Sequence, residues 1–84
     1  MRSEEVIATK RYSPERFSQC VTDSGLSYSE IARRVVRLMP NAKVSASTIS
    51  GMAEPNANPN VKYLGPIATI TNRKVDDFFI EASA

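Results

Sequence analysis

The chain contains no histidine and no tryptophan, a single cysteine, and only three glycines among its 84 residues. Lack of histidine removes the side chain most used as a general acid or base, and with it the usual nucleophile–histidine and zinc–histidine arrangements. No other residue set for catalysis takes its place, so an enzyme is not expected, and no metal or cofactor motif is present. Cys20 stands alone, so no intramolecular disulfide can form. Its spacing beside Phe17 and Val21 puts it on an apolar helical face, where a small buried hydrophobe in a reducing compartment is expected ahead of a reactive thiol. Long apolar runs are also missing. Nothing approaches the roughly 18 residues that a membrane span needs, and MRSEEVIATKRY has no signal-peptide core. The expectation is a cytoplasmic protein without a small-molecule ligand.

What is present is a short chain with an uneven charge pattern. A chain of this length fits one domain and buries about 60–65% of its extended surface, so dimerisation is a natural further source of stability. The net charge of +2 conceals a basic middle. Between Lys10 and Lys74 ten lysines and arginines face four acids, Glu15, Asp23, Glu30 and Glu54, while Glu4, Glu5, Asp76, Asp77 and Glu81 lie near the ends. A nucleic-acid surface requires such a bias.

Residues 1–12 show no helical stripe and read as a flexible arm or a lone edge strand, ahead of a domain over 13–80 and a tail over 81–84. Ser13-Pro14-Glu15 starts a first helix: a hydroxyl cap, a proline where its missing N–H costs nothing, and an acid at the positive helix end. Gly25 can close it in the left-handed conformation. Ser27 and Glu30 form a capping-box pattern for a second helix, with Tyr28, Ile31, Ala32, Val35, Leu38 and Met39 at helical spacing. Its other face carries Glu30, Arg33, Arg34 and Arg37, with Glu30 and Arg34 placed as an i,i+4 pair. A solvated face and a phosphate-contacting face are equally compatible with these arginines.

Pro40 and Asn41 end that helix. A third runs from a Ser45 cap to about Glu54, burying Ile49 and Met52 and turning Ala46, Ser47, Ser50 and Gly51 outward. EPNANPN, residues 54–60, is loop by composition. A fourth helix has either a kink at Gly65-Pro66 or, as preferred here, a start at Pro66, because an interior proline costs about 3 kcal/mol. Asn72 suits a left-handed stop, and Val75, Phe78 and Phe79 form a last helical stripe. Asp76 and Asp77 admit an acid–base pairing, but first-turn acids at a helix start are favoured.

Gly25-Leu26-Ser27-Tyr28-Ser29-Glu30-Ile31-Ala32-Arg33, Val44-Ser45-Ala46-Ser47-Thr48-Ile49-Ser50, Asn58-Pro59-Asn60-Val61 and Val75-Asp76-Asp77-Phe78-Phe79 occur in this order. Together they resemble the Cro and phage-repressor helix-turn-helix family over residues 14–80. The resemblance implies an all-α, lambda-repressor-like bundle of about five helices that binds operator DNA as a homodimer, with the third helix in the major groove. It implies base reading by Ala46, Ser47, Ser50 and Gly51. It implies phosphate contacts from Tyr28, Thr48, Asn58, Asn60 and Lys62, and a dimer contact drawn from Ile67, Ile70, Val75, Phe78 and Phe79. Short members of the family are repressors of phage, plasmid or mobile-element promoters. Two features depart from the pattern: an extended turn between the second and third helices, and Gly65-Pro66 within the fourth.

Arg33, Arg34, Arg37, Lys43 and Lys62 are the expected phosphate partners, and such contacts dominate affinity and weaken with salt. Base reading by small hydroxyls is weakly selective, since the strong pairings are Arg with guanine and Asn or Gln with adenine. Discrimination is therefore expected partly from Lys43 or Asn41 in the long turn and partly from DNA shape. A protein-binding adaptor or antitoxin-like subunit on the same fold is the alternative function.

Overall fold

A computed structural model describes residues 10–81. Its elements in chain order are strand β1 (Lys10–Tyr12), helices α1 (Pro14–Ser24), α2 (Tyr28–Leu38), α3 (Ala46–Gly51) and α4 (Val61–Ile70), a 3-10 turn (Val75–Phe78) and strand β2 (Phe79–Glu81). The expected all-α bundle of about five helices is therefore incorrect: the described residues form four α-helices and a short antiparallel sheet. Lys10, Arg11 and Tyr12, assigned to the N-terminal arm, pair with Glu81, Ile80 and Phe79. Residues 1–9, the rest of that arm, and most of the expected tail, 82–84, lie outside the described residues.

Pairing a strand from each end follows from the aromatic side chains. Tyr12 and Phe79 sit directly opposite, with ring centroids 5.9 Å apart and edge-on, a favourable cross-strand contact. Phe17 of α1 lies 6.2 Å from Tyr12 and 5.4 Å from Phe78, so the sheet, α1 and the 3-10 turn share one aromatic cluster. The Ser13 amide donates to the Phe78 carbonyl at 2.8 Å, extending the join by one bond. The expected fifth helix is displaced because Phe79 turns to extended backbone to pair with β1. Asp76 and Asp77 play structural parts here. Asp77 accepts from the Lys74 amide at 2.9 Å and caps the turn, and Asp76 lies 3.8 Å from Lys10 Nζ.

The first two helices start as their sequences dictate. Ser13 Oγ accepts from the Arg16 amide and Ser27 Oγ from the Glu30 amide. Gly25 closes α1 with φ +75°, the left-handed region that a side chain rarely adopts. The second half of the capping box is not made, because the Glu30 carboxylate turns to Arg33 and Arg34 instead. α3 is shorter than expected, ending at Gly51 rather than near Glu54.

α4 starts at Val61 and carries Pro66 in its interior, so the preferred start at Pro66 is also corrected. Tyr63 and Leu64 before the proline and Ile67 and Ala68 after it are all buried on one face. Burying side chains of this size stabilises by about 1.5–3 kcal/mol each, which outweighs the proline penalty of about 3 kcal/mol. The helix closes at Asn72, φ +59°, as its composition suggests. The Arg73 amide reaches the Ala68 carbonyl and the Asn72 amide reaches Thr69, a Schellman closure.

The core runs from the aromatic cluster through Ile31 and Val35 of α2 to Ile49, Leu64 and Ile67. Cys20 is part of it, and burial pushes its thiol pKa up, which makes it a packing residue rather than a nucleophile. No helix among the described residues is long and apolar enough to cross a membrane.

Candidate functional site

α3 is a six-residue helix held to the domain by a single fully buried side chain, Ile49, and by Met52 just past its end. Two polar contacts fix its ends. At the start, the Ser45 amide donates to Thr48 Oγ1 at 3.3 Å. At the finish, Tyr12 Oη donates to the Met52 carbonyl at 2.6 Å, across 40 residues of chain. Burial raises the Tyr12 phenol well above its ordinary pKa, so it keeps the proton that this bond requires. Tyr12 carries no recognisable sequence signal for this role, because the contact depends on strand pairing.

The face that α3 turns outward is made of small groups. Ser47 and Gly51 are exposed, while Ala46 and Ser50 are half-buried. Ser50 Oγ donates to the Ser47 carbonyl at 3.3 Å, and Thr48 spends its hydroxyl on the cap. Adding a methyl at Gly51 would meet nothing within 4 Å, so this side of the helix is open. The backbone itself can thus approach a surface closely. Asn58, Asn60 and Lys62 are exposed in the chain that leads from α3 into α4. Tyr28 is half-buried against the core, leaving only part of its ring at the surface.

The expected cations divide into two groups. Arg33 and Arg34 both close on Glu30, at 2.5 Å from Nη1 and 2.9 Å from Nε. The hydrogen bond from Arg34, then the charge of Arg33, holds the Glu30 carboxyl below its ordinary pKa. Arg34 also borders a polar depression with Asp23, Arg73 and the Thr71–Asn72 turn, at the far end of α4. Lys43 and Lys62 instead line one groove at the near end of α4. They flank a groove of about 570 Å³ walled by Met39, Pro40, Asn41, Ala42 and Tyr63. An α4 of ten residues spans about 15 Å, which sets the scale of the separation between Arg34 and Lys62. Arg37 is exposed near the end of α2. The expected phosphate partners thus border two different depressions, Arg34 one and Lys43 with Lys62 the other.

The extended turn lies over residues 39–45, since α2 ends at Leu38 and does not lengthen to fill the gap. It places Lys43 beside the groove rather than on α3. Two of the residues expected at a dimer contact are in the core: Ile67 and Phe78 are each fully buried within one chain. Ile70 and Phe79 are partly accessible and Val75 is exposed. Among the described residues no group of three or more Cys, Asp or Glu is arranged to hold a metal ion.

No family model, no curated protein and no solved structure matches this chain.

Proposed function

We propose that the protein is a transcriptional regulator that binds double-stranded DNA as a homodimer, with α3 in the major groove. The observation that carries this reading is the α2–α3 pair. Ile31, Val35 and Ile49 lock the two helices together from beneath, while the small outer face of α3 stays open to solvent. Lys43 precedes that face in the chain and Asn58, Asn60 and Lys62 follow it, all exposed. Basic and amide groups beside a helix that fits the groove supply the positioning contacts.

Direct reading by α3 is modest, for Ser47 and Ser50 carry weakly selective hydroxyls and Ala46 can meet a thymine methyl. Lys43 and the deformability of the DNA supply the remaining discrimination. A dimer offers two such helices and calls for an inverted repeat with half-sites roughly 10 bp apart. With Ile67 and Phe78 in the core, Ile70, Val75 and Phe79 carry the contact between copies.

Selection of bound duplexes from a random pool, followed by titration at several salt concentrations, tests the reading. The expected outcome is a site with a dyad and an affinity that falls steeply with salt. Binding that is absent at low salt overturns it. Replacing Ser47 and Ser50 with alanine then separates direct from indirect reading: a reduced ratio of selected-site to scrambled-site affinity shows contact by these hydroxyls, and an unchanged ratio assigns specificity elsewhere.

A further inference from the structure

We infer that the groove between the 39–45 loop and the start of α4 is a binding site for a small aryl carboxylate. Its volume of about 570 Å³ falls within the range of small-molecule sites and leaves room for a fused ring system. The walls are mostly apolar: Met39, Pro40 and Ala42 from the loop and the buried Tyr63 from α4, with Asn41 the one uncharged polar side chain. Both charged groups that line it are ammonium groups, Lys43 and Lys62, and no acid lines it. Among the described residues neither lysine lies within salt-bridge distance of a carboxylate.

Lys62 is held over the Tyr63 ring, 5.2 Å from its centroid, which sets positive charge against the aromatic wall. Tyr63 itself is 5% exposed and forms the inner wall of the groove. These features select the ligand class. An inorganic phosphate would satisfy the lysines and leave the apolar walls wet, and a neutral hydrocarbon would leave both ammonium groups unanswered. An aryl carboxylate answers both, its ring on Met39, Pro40 and Ala42 and its carboxylate facing Lys43 and Lys62.

The site shares its two lysines with the proposed DNA contact, so ligand and duplex oppose each other. This second consequence alone rests on the DNA-binding reading. Neutralising two cations removes their share of counterion release, and by linkage the duplex expels the ligand as strongly as the ligand expels the duplex.

The test uses the full chain, labelled for amide NMR, titrated with 2-naphthoate and with 2-naphthylmethanol as the neutral analogue. Saturable shifts confined to residues 39–43 and 62–63, weakened about tenfold or more by the alcohol and by the exposed double variant K43Q/K62Q, support the site. No saturable shift, equal binding of acid and alcohol, or shifts centred elsewhere overturns it. Shifts of the same residues on raising protein concentration without ligand also overturn it, because they make the groove a contact between copies. Measuring naphthoate without DNA keeps the two ideas separable. If the protein binds no duplex but naphthoate saturates the groove, only the function proposed above fails; if duplex binds and naphthoate does not, only the ligand site fails.

Discussion

The end of the molecule built from β1, α1, the 3-10 turn and β2 is dense with large side chains, whereas α3 and its flanking loops are nearly bare of them. At the first end Tyr12, Phe17, Phe78 and Phe79 meet ring to ring, and Phe17 and Phe78 are wholly buried. At the second, one isoleucine anchors a six-residue helix whose outer residues are serine, alanine and glycine. The contrast is physical division of labour within one small core. Aromatic packing is concentrated where β1 and β2 meet, while the outer face of α3 presents polar and small groups that contribute little to folding.

The strongest challenge to that contrast is to cut into the aromatic end. Phe78→Ala should destabilise the domain by about 3–5 kcal/mol, a large part of the 5–15 kcal/mol typical of a whole domain. Urea denaturation followed by circular dichroism reads this directly. A loss no larger than that of a surface substitution would mean that the two ends share the load equally.

At the other end the expected change is in binding rather than in stability. K43Q/K62Q should fold with an unchanged denaturation midpoint, and its plot of log affinity for duplex DNA against log salt should flatten by about 1.8, that is, about 0.9 for each lost phosphate contact. An unchanged slope with lower stability would place these lysines with the structural half.

The smallest effect concerns Glu30. Its folded carboxyl is held below the ordinary value, so the stabilisation from its arginine partners is fully present above the unfolded-state pKa and is lost as pH falls through the folded one. Since the group lies half-buried at the surface, where solvent screens its ion pairs, the change is slight. Comparing the acid limb of the stability profile of the protein with that of Glu30→Gln isolates it, and the variant should be flatter there. Identical profiles would show that Arg33 and Arg34 gain nothing from the carboxylate and stand free for other partners.

Local chemistry made much of the helical half legible. Ser13-Pro14 and Ser27 announce the starts of α1 and α2, Gly25 and Asn72 announce stops, and each acts through groups within a few residues of itself. The sheet was not legible, because three-residue strands are too short to show alternation and their partners lie at opposite ends of the chain. Pro66 misled for the same reason: its cost is local, while the burial of Tyr63 and Leu64 that offsets it is tertiary. In the candidate site, the exposure of Ser47 and Gly51 followed from the spacing around Ile49. The capture of Arg33 and Arg34 by one carboxylate was half visible as an i,i+4 pair, but its i,i+3 companion was not anticipated. Nothing in the sequence brought Lys43 and Lys62 to one groove, since that depends on where the 39–45 loop lies against α4.

The bond from Tyr12 to Met52 also bears on the order of folding. Closing 40 residues of chain costs roughly 3 kcal/mol in loop entropy, whereas one hydrogen bond returns about 1 kcal/mol net. The contact therefore cannot lead folding. It is held by the ring contacts of Tyr12 with Phe17 and Phe79, so the far end of α3 takes its pitch from the packing of the first strand.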